Sequence, residues 1–223
     1  PSFCSYGAST AMAPRQLSQD ADDLKAISDG TLGYYNQVAE QFWHGTKDHD
    51  VSQNRHAVLE AIEGDGPHTV LDFGCGPGRD LIAFKEMDHR PIGLEGSVEL
   101  AKLARKHSGC EVWEQNFLEL DLPDGHFDGI FANASFFHVP SREAPRILDE
   151  LKAALKAGGV LFCSNPRGQD DEDWRGERYS VFYDDRTWLS MVEAVGFTPI
   201  QKYYRPTGLP LEQQPWLATV WRK

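Results

Sequence analysis

Between Val70 and Asp80 the chain reads Val-Leu-Asp-Phe-Gly-Cys-Gly-Pro-Gly-Arg-Asp. The apolar, β-branched run from Thr69 to Leu71, with Phe73 behind it, predicts a short buried parallel strand. Three glycines on alternate positions, Gly74, Gly76 and Gly78, end that strand, and Asp80 to Met87 follows with helical spacing of its apolar residues. A strand, a glycine turn and a helix N-terminus in succession let a ligand approach the main chain closely and meet free N–H groups. The chain is thereby directed toward an α/β sheet with its ligand at the carboxyl end of a strand.

The glycine spacing separates ligand classes. A dinucleotide fingerprint, G-x-G-x-x-G, would put its third glycine at position 79, which is Arg79. Here Asp72 precedes Gly74-x-Gly76-x-Gly78, and this form resembles motif I of the class I S-adenosylmethionine-dependent methyltransferases. The resemblance covers roughly residues 34 to 223. It implies a Rossmann-like three-layer α/β sandwich with a seven-stranded, mostly parallel sheet in the order 3-2-1-4-5-7-6, ending in an antiparallel hairpin. It also implies S-adenosylmethionine as cofactor, with Asp72, Gly74, Cys75, Gly76 and Gly78 around it.

The alternation downstream fits that expectation. Pro91 to Leu94 predicts a second strand closed by Glu95, and Ser97 caps the helix that follows Gly96. An acidic side chain at that strand tip can accept from the two vicinal hydroxyls of a ribose. Cys110 to Glu114 predicts a third strand, followed by Asn116 and Phe117. Related methyltransferases often carry an acidic residue at the place of Asn116, bonded to the adenine amino group; an amide can still accept there and donate to a ring nitrogen. Phe117 offers a backbone N–H and an apolar edge for the base. His126 to Ala132 predicts the fourth strand, with Asn133, Ala134 and Ser135 in its exit loop facing the cofactor. His138 in the same loop is the candidate general base, or the group that orients a nucleophile.

Val160 to Ser164, after a helix from Ala144 to Lys156 stopped at Gly158, predicts the fifth strand. A polar loop from Gly168 to Arg186 is expected above the pocket. Arg167, Arg178, Tyr179 and Tyr183 are candidates there for a carboxylate or polar head group of the substrate. Thr198 to Arg205 and Trp216 to Arg222 predict the closing hairpin. A nicotinamide-dependent oxidoreductase would instead continue with parallel βα units.

Upstream, residues 1–30 are poor in large apolar side chains and predict a flexible arm with one helical turn around Asp22 to Ile27. The arm starts at Pro1 rather than Met, which is compatible with truncation or processing. The methyltransferase domain is expected over 31–223, with amphipathic lid helices in 34–63 separated by Gly45 to Asp50. In similar methyltransferases such helices close the substrate pocket, which makes Tyr34, Tyr35 and Trp43 candidates for contact with it.

Composition bounds the partners. The formal net charge of −12 argues against a phosphate backbone, and no Lys/Arg cluster offsets it. No apolar run approaches the ~20 residues of a membrane span. Cys4, Cys75, Cys110 and Cys163 lack C-x-x-C spacing, which suits reduced thiols and a cytoplasmic or other reducing intracellular compartment, and no metal site is expected. The expected activity is methyl transfer to a small-molecule O, N or S nucleophile. The alternatives are a protein or peptide side chain as acceptor and a non-catalytic S-adenosylmethionine-binding module.

Overall fold

A computed structural model describes residues 21–223. Strand β1 (Thr69–Phe73) lies between β2 (Arg90–Glu95) and β4 (Phe127–Asn133), parallel to both. Outside β2 is β3 (Val112–Glu114), and beyond β4 come β5 (Leu155–Pro166), β9 (Trp216–Arg222) and β8 (Thr198–Arg205), the last two antiparallel. Counted within this sheet, the order is the one the sequence predicts. The chain reverses direction across the sheet at β1 and β4, so their carboxyl ends form the crevice where such sheets bind ligands.

Side-chain alternation builds three layers. Val70, Phe131, Val160 and Phe162 pack with α2 (Ser52–Ala61) and with Phe84 of α3 (Arg79–Glu86). Their neighbours Leu71, Ile130, Leu161 and Cys163 pack with α5 (Ala144–Ala154) and α6 (Asp185–Ala194). Helix α4 (Val98–Ser108) covers β2 and β3 through Ala101 and Ala104.

Three expectations change. First, the arm and the first lid helix are one helix, α1 (Ala21–Thr46), in which Ile27, Ser28 and Thr31 are buried. Of the expected arm, residues 1–20, which include Cys4, lie outside the described residues. Gly30 disguised the helix, since a mid-helix glycine costs ~1 kcal/mol relative to alanine. It is accommodated because a Cβ there would lie 2.6 Å from the Trp174 ring. Second, the expected polar loop contains a hairpin, β6 (Asp171–Arg175) and β7 (Arg178–Phe182), turning through Gly176 at φ 66°. Its charged first strand lacks an apolar alternation: Asp171 and Asp173 are exposed, Glu172 accepts from the Tyr179 hydroxyl at 2.9 Å, and Arg175 lies 3.8 Å over the Phe182 ring. Third, Gly158 does not end α5. The helix stops at Ala154, Leu155 already pairs with Phe127, and Gly158 at φ 74° occupies the irregular start of β5.

Candidate functional site

The glycine bend offers proximity rather than donors. The N–H groups of Gly74 and Cys75 donate to the Leu94 carbonyl at 2.8 and 3.0 Å, and that of Gly78 donates to Cys75 at 3.1 Å. The N–H of Gly76 donates to Glu95 Oε2 at 2.9 Å. The donors of the bend itself are therefore engaged within the protein, while the N-terminus of α3 carries no side-chain cap. Gly74 is held at φ 80° with Ser135 and Phe117 so close that a Cβ would lie 2.5 Å from one and 2.9 Å from the other. Gly78, at φ 92°, abuts Ala104 of α4 and lines neither of the pockets described below.

Glu95 sits beside this bend, buried, with Oε1 accepting from Ser97 N–H at 2.8 Å and Oε2 from Gly76. A carboxylate has about four acceptor positions, so each oxygen keeps one for another donor. That is the complement of a cis-diol. Burial pushes the Glu95 carboxyl up from 4.5 to about 7, against the pull of the backbone N–H groups of Ser97, Gly76 and Gly96.

Glu95 opens onto a pocket of about 90 Å³ at the ends of β1, β2 and β4. Gly96, Asn116, Phe117, Ala134 and Ser135 all line it, so these predicted cofactor residues converge. Asn116 Oδ1 accepts from Leu118 N–H at 3.0 Å, which leaves its NH₂ as the available group. Phe117 stacks on Phe73 with ring centroids 4.1 Å apart. Ile27, Ser28, Thr31 and Leu32 of α1 cover the pocket, a wall that the sequence reading placed in the arm. The spacing 24, 27, 31, 35, 38 and 42 of its apolar and Thr positions was the available signal. Asn36 fixes this helix over the site, its Oδ1 accepting from Ser97 Oγ at 2.8 Å and from Glu99 N–H at 3.1 Å.

A larger cavity of about 590 Å³ adjoins the first and shares Tyr35, Phe42, Gly74, Gly76 and Ala134 with it. Cys75, Asn133 and Arg178 line it, as do Arg205, Phe137 and Trp216. At the junction, His138 Nδ1 is 2.7 Å from the Tyr179 carbonyl and Nε2 is 2.9 Å from the Tyr35 hydroxyl. A carbonyl only accepts, so Nδ1 carries the proton and Tyr35 donates to Nε2. Burial pushes His138 down to about 4, with a smaller push from Arg178 and opposition from the bond to Tyr179. The imidazole is neutral at physiological pH and both nitrogens are engaged. Burial also raises the Tyr35 hydroxyl, while Arg178 beside it acts the other way.

Beneath the bend, Asp72 is buried and its Oδ2 has no hydrogen-bond partner among the described residues. Burial, then the Asp80 carboxylate, holds Asp72 well above the usual carboxylate range; Arg79 acts in the opposite direction. Asp80 itself is paired with Arg55 and Arg79, each at 2.6 Å. Arg79, the residue that breaks the dinucleotide pattern, also donates to the Thr46 carbonyl at 3.2 Å and ties α1 to α3. Burial raises the Cys75 thiol, so it is no nucleophile at neutral pH.

The remaining sequence candidates disperse. Trp43 stacks on His107 with centroids 4.2 Å apart and lines neither pocket. Arg167 is paired with Asp185 at 3.1 Å and bonds the carbonyls of Leu211 and Gln214, bracing the β8–β9 connection. Tyr179 donates its hydroxyl to Glu172 at 2.9 Å, and it is its main chain that reaches His138. Tyr183 packs against Trp188 in the core. Tyr34 lines neither pocket and borders the larger cavity through Tyr35, with ring centroids 5.5 Å apart, and through Arg178, whose guanidinium lies 5.1 Å from its ring.

Residues 70–159 match the family model described as a methyltransferase domain. Over 120 residues the chain is 33% identical to the trans-aconitate 2-methyltransferase of Azoarcus sp. (strain BH72), covering 53% of this chain and 47% of that protein. A second trans-aconitate 2-methyltransferase, from Rhodopseudomonas palustris (strain BisB18), is 33% identical over 51% of this chain and 44% of its own length. The chain thus spans about half the length of these curated relatives. Among solved structures, the Burkholderia thailandensis 1,6-didemethyltoxoflavin-N1-methyltransferase, with 1,6-didemethyltoxoflavin and S-adenosylhomocysteine bound, is similar with a TM-score of 0.72. It is 21% identical, and the match covers 95% of this chain and 92% of that one. A Leishmania major S-adenosylmethionine-dependent methyltransferase gives a TM-score of 0.73 at 17% identity, over 89% of this chain and 83% of that one. No helix among the described residues is long and apolar enough to cross a membrane.

Proposed function

We propose that this chain is a class I S-adenosylmethionine-dependent methyltransferase, a reading supported by its fold and its matched domain, and that it transfers a methyl group to a small-molecule acceptor. The observation that carries the reading is Glu95: a buried carboxylate with one open acceptor position per oxygen, set against a glycine bend whose N–H groups are engaged. The relatives named above act on small molecules, trans-aconitate and 1,6-didemethyltoxoflavin.

S-adenosylmethionine supplies an activated methyl on a sulfonium whose sulfur leaves as a neutral thioether. The chain has to align the nucleophile and exclude water. Glu95 holds the ribose hydroxyls, with Asn116 and Phe117 flanking the base, while Gly74 permits close approach. Helix α1 covers this end. Tyr35, at the junction of the two cavities, meets the acceptor. His138 is a positioning residue: it fixes the Tyr35 hydroxyl through Nε2. With its pKa near 4, it is a weak base in a site suited to a nucleophile that arrives deprotonated.

Two results test this. Calorimetry should detect S-adenosylmethionine and S-adenosylhomocysteine but not NAD, and mass spectrometry over a metabolite panel should find a product heavier by one methylene. Cofactor binding with no methylated metabolite and no methylated peptide would identify a binding module instead. A peptide product alone would move the acceptor class. His138→Ala should lower kcat by about tenfold to a hundredfold through a displaced Tyr35. Because a group titrating near 4 is neutral from pH 5.5 to 9, the wild-type kcat should show no acidic limb near 6.5. A limb there that disappears in the variant would make His138 the base.

A further inference from the structure

The larger cavity carries two guanidiniums without acidic partners. Arg178 opens β7 and Arg205 closes β8, and both line this cavity and not the smaller one. Neither takes part in an ion pair among the described residues. Arg205 Nη2 donates to the Asp50 main-chain carbonyl at 2.8 Å, while Nη1 is buried with no hydrogen-bond partner. Arg178 lies against aromatic faces, 5.1 Å from the Tyr34 ring and 5.9 Å from that of Tyr35. A buried guanidinium donor without an acceptor is costly unless a ligand supplies one.

The acids on the same wall are engaged elsewhere. Asp80 is neutralised by Arg55 and Arg79, and the exposed Asp50 carboxylate accepts from Ser52 N–H at 2.9 Å. Asp50 also lies near enough to feel Arg205, yet it forms no ion pair with it. In a chain of net charge −12, this leaves a locally cationic lining in the cavity that Glu95 and Asn116 do not line. Tyr35, which lines it, and His138, bonded to Tyr35, are neutral, so neither repels a deprotonated acceptor.

We infer that the methyl acceptor carries a carboxylate, and that Arg178 and Arg205 hold it in the larger cavity. Charge-assisted bonds to guanidinium orient a planar carboxylate as well as attract it. The inference rests on the proposed methyltransferase reading and narrows its substrate class.

The test uses the intact chain saturated with S-adenosylhomocysteine and titrated by calorimetry with acetate, succinate and citrate and with their amides. At least one acid should bind while its amide does not. Arg178→Gln and Arg205→Gln should each weaken that acid tenfold or more and leave S-adenosylhomocysteine affinity within about twofold, which also certifies folding. Arg178→Lys keeps the charge without the planar fork and should fall between. Three results overturn the inference: no acid binds, the amides bind equally, or the glutamine variants lose S-adenosylhomocysteine rather than the acid. The last would give these arginines to the cofactor's own carboxylate. Failure of S-adenosylhomocysteine to bind the wild-type chain would instead remove the methyltransferase reading itself.

Discussion

Glu95→Ala is expected to weaken S-adenosylmethionine binding by ~1.5–3 kcal/mol, the loss of hydrogen bonds to a charged group, or about tenfold to a hundredfold in Kd. The same site makes binding pH-dependent. The diol needs the ionised carboxylate, and burial has pushed Glu95 up to about 7. Affinity should therefore fall as pH drops below about 7, approaching tenfold per pH unit, and level off above 8. The stability of the ligand-free protein runs the other way. A folded-state pKa above the ordinary 4.5 contributes stability that is complete below the ordinary carboxylate range, and that contribution is lost as pH rises through about 7. Glu95→Gln keeps one acceptor for Gly76 or Ser97, so it separates loss of charge from loss of the main-chain contacts. Its binding should be weak but flatter with pH, which isolates Glu95 from the buried Asp72 nearby. Calorimetry at pH 6, 7 and 8 checks all three proteins, and unchanged affinity in Glu95→Ala would remove it from the ribose site.

The parts of this fold legible in the sequence are those in which local pattern and tertiary role agree. Val70, Leu71 and Phe73 are apolar because both faces of β1 are covered. Gly74, Gly76 and Gly78 mark the bend because all three need positive φ. Glu95 is legible as the acidic tip of the neighbouring strand, and it is buried there. What the sequence hid was determined by contacts distant along the chain. Gly30 reads as a helix breaker until Trp174 is seen against it, and Ser28 and Thr31 read as polar arm until their burial is known. Arg205 reads as the end of a surface hairpin, and only the return of β8 beside α2 brings it to the cavity wall. In the other direction, Arg167 and Tyr183 have the right chemistry and the right neighbourhood. Side-chain direction, which spacing in an irregular segment does not encode, takes them into structural bonds and the core.

The three glycines differ in function, and substitution should separate them. Gly78→Ala is expected to destabilise the fold by ~2–6 kcal/mol, the sum of backbone strain and overpacking. Its φ of 92° is strained for any residue with a Cβ, at ~1–3 kcal/mol, and the new methyl would stand 2.9 Å from the Ala104 Cα and 3.1 Å from its carbonyl oxygen. Main chain cannot yield as a flexible side chain does, so overpacking adds ~1–3 kcal/mol. For a domain of this size the melting temperature should drop by ~4–24 °C. Since Gly78 lines neither pocket, the folded fraction should bind S-adenosylmethionine within a few-fold of wild type. Gly74→Ala is the contrast. Its Cβ would push on Ser135 and Phe117, both of which line the smaller pocket, so it should lose affinity along with stability. Thermal melts and calorimetry on the two variants decide the matter. If Gly78→Ala melts like wild type and loses the ligand as Gly74→Ala does, then Gly78 touches the cofactor and its packing against α4 is incidental.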